Sequence, residues 1–310
     1  MVQTDSLKDI VVVCGPTASG KTALAVEIAK TLGSEIISAD SIAVYQKLDI
    51  GTAKPTALER RAITHRLIDV VPPTSDFSVA EYEKLALSEI ERIQGYKKTP
   101  VVCGGTGYFI DAVLFKKSYG HCPKNEKLRK EFEKIFNEKG ANYLYEMLRA
   151  VDPVTSEKLS ENDFLRVSRA LEIYYVTGKR KSDIVDEKTP RFRYVAFCVD
   201  HDRNVLYERI NARVDQMMKN GLVQEVKGLL DSGVLPSAQS MQGIGYKEIV
   251  EGLLTGATEN EMAETIKQNT RRYAKRQITY FKKMEHLYHL SPENPLKIAK
   301  DILINERFIY

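Results

Sequence analysis

The stretch Gly15-Pro16-Thr17-Ala18-Ser19-Gly20-Lys21-Thr22 constrains this chain most, because it fits the phosphate-loop spacing of Gly, four residues, then Gly-Lys-Ser/Thr without a mismatch. That pattern needs a strand before it and a helix after it. Both are legible: Ile10–Cys14 is an unbroken apolar run that reads as a buried strand, and Ala23–Lys30 reads as a helix. In such a loop, backbone N–H groups and the positive end of the helix cradle a polyphosphate. Lys21 adds a point charge, and the Thr22 hydroxyl is a candidate ligand for Mg²⁺. The loop does not say which phosphate ester it holds, so the strand ends around it have to.

The remainder of the first third alternates strand-like and helix-like segments, the pattern of a parallel sheet with helices on its faces. Candidate strands are Val11–Cys14, Glu35–Ala39, Leu67–Val71 and Pro100–Cys103, with a helix over Ser78–Gln94. From about Lys116 to Arg193 charges and tyrosines dominate, and helical spacing replaces the strand rhythm. The clearest helix there is Asp163–Thr177, with Phe164, Val167, Leu171 and Tyr174 in step and Gly178 as its C-terminal cap. Tyr194–Val199 returns to the sheet, and Arg203–Lys219, Val223–Leu230 and about Glu259–Met284 read as helices. The expected fold is α/β: a phosphate-loop parallel-sheet core over 1–115, a helical insertion over 116–193, and core completion with helices over 194–310.

Hydrophobic residues make up 43% and charged residues 28% of the 310, with no apolar run long enough to span a bilayer. The leading nine residues show neither a secretory nor a transit signal, so a cytoplasmic protein is expected. Cys14, Cys103, Cys122 and Cys198 are far apart, form no Cys-x-x-Cys pair and read as reduced thiols. A net charge of +4 is too small to point to nucleic acid by itself. Its distribution says more. No acid falls between Glu264 and Glu285, whereas Lys267, Arg271, Arg272, Lys275, Arg276, Lys282 and Lys283 are all basic. Ala274, Ile278 and Phe281 form the stripe that docks this helix, leaving Arg272, Lys275, Arg276 and Lys283 on an exposed face suited to phosphates.

In open parallel sheets ligands gather at the carboxyl ends of the strands. Asp40 ends the second strand and is the best-placed carboxylate, readable as a turn cap, a Mg²⁺ partner or a base. The fourth strand runs into Gly104-Gly105-Thr106-Gly107, a turn that lets backbone and the Thr106 hydroxyl approach a phosphate. A kinase or NTPase needs a metal-binding acid after an apolar strand; Val101-Val102-Cys103 ends in glycines, so Asp40 or Asp200 would have to serve. A diphosphate leaving group fits the same cradle. A non-enzymatic RNA-binding module with a regulatory nucleotide site also remains open.

Over nearly its whole length the sequence resembles the tRNA dimethylallyltransferases, the isopentenyl transferase family. The resemblance rests on Gly15–Thr22, Ser38–Tyr45, Asp49–Pro55, His65-Arg66-Leu67, Gly104–Gly107 and Asn162-Asp163 through Glu172. It continues through Asn211–Met217 with Arg213, Gly243–Tyr246 and Arg276–Phe281. Tyr280 stands where many relatives have Trp, and Tyr108-Phe109 where Leu-Tyr is common. The resemblance implies transfer of a dimethylallyl group from dimethylallyl diphosphate to N6 of adenosine 37, in the anticodon stem-loop of tRNAs reading codons that begin with U. It implies Mg²⁺ as cofactor, with a monomer expected. Asp40 is then the base, and Lys21, Thr106 and Arg213 join the loop and Mg²⁺ on Thr22 in stabilising the departing diphosphate. Candidate tRNA contacts are Asp40, Ser41, Ile42, Ala43, Thr106, Arg129, Arg166, Val167, Ser168, Arg169 and Ala170. Gln242, Gly243, Ile244, Gly245, Tyr246, Lys247, Arg272, Lys275 and Arg276 complete the set. An isopentenyltransferase acting on free adenine nucleotide is the near alternative.

Overall fold

The computed structural model describes residues 8–119, 122–185 and 189–309; residues 1–7, on which the expected lack of a signal rests, lie outside them. Six strands form one sheet: β1 (Asp9–Cys14), β2 (Ile36–Ser38), β3 (His65–Arg66), β4 (Val101–Gly104), β5 (Arg193–Val199) and β6 (Leu287–Leu290). Their order is β3-β2-β4-β1-β5-β6 and every pairing is parallel. Parallel strands need crossovers, which cover both faces of the sheet and explain why central strands read as continuous apolar runs. Ile10 through Cys14 are fully buried in β1. Each such Val or Ile contributes about 1.5–3 kcal/mol of burial.

Helix α1 (Lys21–Thr31) follows β1, with Gly20 as a left-handed N-cap. Its Leu24, Ala25, Val26, Ile28 and Ala29 pack into the core beneath the sheet with Ala299 and Leu303 of the last helix. After α2 (Ala57–Ala62), α3 (Val79–Gly95) begins at a Ser78/Glu81 capping box, which satisfies two otherwise orphaned N–H groups. Helix α4 (Gly107–Leu114) leaves the glycine turn after β4.

Residues 115–189 form a second compact unit. Its helices are α5 (Glu126–Lys139), α6 (Ala141–Val151), the short α7 (Pro153–Ser156) and α8 (Phe164–Thr177). Phe132, Leu144, Leu148, Val167, Ala170 and Leu171 make its own core. Helix α8 is capped by the Asp163 side chain at one end and by left-handed Gly178 at the other. Chain 190–310 belongs with the sheet: Arg193 already pairs with Asp9. There follow α9 (Arg203–Lys219), α10 (Leu222–Asp231), α11 (Tyr246–Thr255), α12 (Glu259–Phe281) and α13 (Pro295–Asn305).

One expected strand is not there. Leu67 and Asp69 both have φ of 60°, outside the extended region, so Leu67–Val71 does not form a strand. Lys54 Nζ (2.6 Å) and Arg60 Nη1 (2.9 Å) capture the Asp69 carboxylate, while Val70 and Val71 donate their N–H groups to Val44 O. The pairing strand is the preceding His65–Arg66, and only the Tyr45–Val71 bridge survives beyond it. β6 and α13 were not anticipated from the sequence.

Candidate active site

At the carboxyl ends of β1, β2 and β4 lies a cavity of about 360 Å³. Its wall includes Thr17 and Lys21 of the phosphate loop, Asp40–Ile42 after β2, Gly105 and Thr106 after β4, Arg213 of α9 and Gly243–Gly245 before α11. The chain reaches this point only because Gly104 has no side chain: a Cβ there would stand 2.1 Å from Ala39 O. The close approach lets Thr106 N–H donate to Ala39 O (3.2 Å) and Ser41 N–H donate to Thr106 Oγ1 (3.1 Å).

Asp40 is held by one oxygen. Its Oδ1 accepts the N–H groups of Ile42 (2.9 Å) and Ala43 (3.1 Å), the capping role open from the sequence, while Oδ2 takes no hydrogen bond from a described residue. Capping fixes the carboxylate without using it up. Lys21 Nζ donates to Pro16 O (3.2 Å), and the buried Ser19 Oγ has no hydrogen-bond partner among the described residues. A buried hydroxyl without a partner is costly unless a ligand supplies one.

The cavity is short of negative charge. Burial, reinforced by the charge of Arg213, pulls the Lys21 pKa below its ordinary value; burial likewise lowers that of Arg213, and in both cases Asp40 opposes the fall. Arg213 Nη2 reaches Thr52 O at 3.4 Å. Two half-buried cations therefore face one carboxylate, an arrangement that an anion completes. Ile42, Ile210, Val214, Met217, Ile244 and Ile266 give the same cavity an apolar side.

The model of the IPP transferase family matches residues 43–284, more than half of the chain and wholly downstream of the phosphate loop. The chain belongs to the IPP transferase family. It is 43% identical over 290 residues to the tRNA dimethylallyltransferase of Acetivibrio thermocellus, covering 93% of each chain. It is 41% identical over 296 residues to that of Pelotomaculum thermopropionicum, covering 95% of this chain and 94% of the relative. Among solved structures, the tRNA isopentenylpyrophosphate transferase of Bacillus halodurans superposes with a TM-score of 0.72 at 37% identity, covering 96% of both chains. A eukaryotic dimethylallyltransferase acting on tRNA superposes with a TM-score of 0.82 at 28% identity, covering 97% of this chain and 79% of its own.

Within this IPP transferase several residues singled out in the sequence line the cavity: Asp40, Ser41, Ile42, Thr106, Arg213, Gln242–Gly245 and Arg276. Others do not. Tyr246 is fully buried; its hydroxyl donates to Glu225 Oε1 (2.6 Å), so its side chain is structural and not an RNA contact. Val167 and Ala170 sit in the core of the 115–189 unit, and buried Ser168 Oγ donates to Leu165 O (3.3 Å). Arg129 and Arg169 both turn onto the fully buried Glu172, which needs their charge. Arg166 remains exposed, 3.2 Å from Asp163. Ala43 is buried, and Lys247 is exposed beside Glu251. Arg272 and Lys275 are exposed on α12.

Three further residues shape the site. Glu225, on α10, accepts the N–H groups of Asp49 (3.0 Å), Ile50 (2.8 Å) and Gly51 (3.3 Å), setting the segment that carries Thr52 to the cavity. Tyr273 and Gln277, on α12, complete the wall beside Thr106 and Thr17. All three are polar residues at ordinary helical positions, and only their partners or their place in the cavity wall single them out.

For Mg²⁺ the fitting donor is the Thr22 hydroxyl, in the first turn of α1, an oxygen as a hard cation requires. Cys198, Asp200 and His289 also converge, with ligand atoms within 4.8 Å of one another. Burial first, then Asp200, pushes the Cys198 thiol up to about 12, and His289 Nδ1 lies 2.8 Å from Asp200 Oδ2. A protonated thiol beside a self-satisfied pair does not make a site for a hard cation.

Proposed function

We propose that this protein transfers a dimethylallyl group from dimethylallyl diphosphate to N6 of adenosine 37 in tRNAs that read codons beginning with U, releasing diphosphate. The observation that carries the reading is the pair Lys21 and Arg213 set against Asp40 in a cavity that also has an apolar side. A diphosphate supplies the missing negative charge, and a five-carbon tail suits Ile42, Val214, Met217 and Ile244. An adenine amine is a weak nucleophile, because its lone pair is delocalised into the ring. Asp40 Oδ2, unoccupied by the capping bonds, takes the N6 proton as the new C–N bond forms. The C–O bond to diphosphate breaks meanwhile, and the charge gathering on oxygen is met by the loop N–H groups, Lys21 and Arg213. Thr22 would hold Mg²⁺, which would supply Lewis-acid stabilisation of that charge.

The acceptor base has to leave its stack to enter the cavity, so a flipped adenosine is expected. The exposed Arg272, Lys275 and Arg276 of α12 lie on the flank where tRNA phosphates would pass. Four buried free thiols suit the reducing cytoplasm, where we place the protein as a monomer, checked by light scattering at working concentration.

The test is incubation with labelled dimethylallyl diphosphate and either unmodified tRNA or AMP, followed by nucleoside mapping. Label at N6 of adenosine 37 with none on AMP is expected. Label on AMP alone would replace tRNA by a free nucleotide as acceptor, and brisk ATP hydrolysis without label transfer would overturn the reading.

A further inference from the structure

Helix α12 has an exposed basic face and a buried polar residue on the opposite side. That residue, Gln277, is 5% exposed. Its Oε1 accepts the N–H of Thr17 in the phosphate loop (2.9 Å), and its Nε2 donates to Gly105 O in the turn after β4 (2.9 Å). One amide thus spans the two loops that end neighbouring parallel strands, β1 and β4. The fit is close: a Cβ on Gly105 would stand 2.3 Å from Nε2. One turn earlier, Tyr273 lines the same cavity wall as Thr106 and Gln277. Thr106 in turn holds the Ser41 N–H beside Asp40.

A buried primary amide with donor and acceptor both used is an orienting device, since a flipped amide would set donor against donor and acceptor against acceptor. We propose that Gln277 is a positioning residue: it fixes the loop that grips the diphosphate relative to the turn that orients Thr106, Ser41 and Asp40. The same helix carries Arg272, Lys275 and Arg276, so tRNA docking on its outer face bears directly on that alignment; this second part rests on the tRNA reading above.

The test compares Gln277→Leu with Gln277→Glu. A neutral Glu restores both bonds, its O–H donating to Gly105 O and its other oxygen accepting from Thr17. An ionised Glu turns a negative oxygen against the Gly105 carbonyl. The other titratable groups in the cavity wall, Lys21, Asp40, Arg213, Tyr273 and Arg276, are shared with the wild type, which serves as control at each pH. Gln277→Leu should lower kcat about 10²-fold while leaving the Kd for inorganic diphosphate and for tRNA, each measured alone, within about threefold of wild type. Gln277→Glu should be equally impaired at pH 8 and regain activity relative to wild type as pH falls toward 6. Hydrogen exchange in residues 15–22 and 104–107, read relative to wild type at the same pH, should follow the same course. Because it needs no prenyl transfer, it separates failure of the bridge from failure of the proposed reaction. Gln277→Leu at wild-type kcat, or Gln277→Glu impaired without pH dependence in either readout, overturns the proposal.

Discussion

Asp40, the base we propose, is first of all structural. Two backbone N–H groups fix Oδ1, and the other oxygen faces a cavity whose remaining charges are positive. Arg213 is its counterpart in the proposed diphosphate site. Arg213→Met removes one of two half-buried cations, so it should weaken binding of inorganic diphosphate and, by relieving Lys21 of a like charge, raise the Lys21 pKa. Isothermal titration of diphosphate as a function of pH measures both. Glu225 acts at one remove. Glu225→Ala strands the N–H groups of Asp49, Ile50 and Gly51, costing about 1–3 kcal/mol each where they are buried, and displaces Thr52. A lowered melting temperature with a raised KM for donor is the expected pair of results.

At the scale of elements, the exposed face of α12 makes a prediction of its own. Lys275→Ala or Arg276→Ala should weaken tRNA binding and shrink the slope of log K against log salt by about one phosphate contact, without changing diphosphate affinity in the Lys275 variant. Arg276 also lines the cavity, so its variant should affect both. The elements differ in how far the sequence betrays them. β1, β4 and β5 carry unbroken apolar stretches that read as buried strands, while α8 announces itself by its spacing and the Gly178 cap and α12 by its basic run. β3 was misplaced because Lys54 and Arg60, through Asp69, and the Val44 carbonyl hold the chain in a form that local β propensity does not foresee. β6 escaped because Leu287–Leu290 is short, lies at the sheet edge and is only partly buried. The phosphate loop, Asp40, Thr106 and Arg213 were legible by spacing or by resemblance. Gln277 falls within the Arg276–Phe281 stretch of the resemblance, but its role, like that of Glu225, was not legible, since it lies in partners that are remote in sequence; Tyr273 carried no signal.

At the scale of the molecule, two units with separate cores share one chain. Within the 115–189 unit the buried Glu172 is the weak point under acid. Burial pushes its pKa up, but hydrogen bonds from Arg129, the Asn125 N–H and Arg169 outweigh it and hold the value down at about 2, against an ordinary 4.5. The folded value is the lower one, so this stabilisation is complete above about pH 4.5 and is lost as pH falls from there through 2. Glu172→Gln should destabilise the unit by about 3 kcal/mol at pH 7. The gap to wild type, followed by hydrogen exchange in α5 and α8, should narrow below pH 4.5.

All of this turns on a carboxylate readying an adenine beside a cation pair that grips a diphosphate. The single-turnover rate of prenyl transfer by Asp40→Asn, with donor and tRNA both saturating, tests it most directly, because the amide keeps the capping acceptor and loses only the base. A rate about 10²–10⁴-fold below wild type with diphosphate affinity intact is the predicted result. Transfer at the wild-type rate would contradict it.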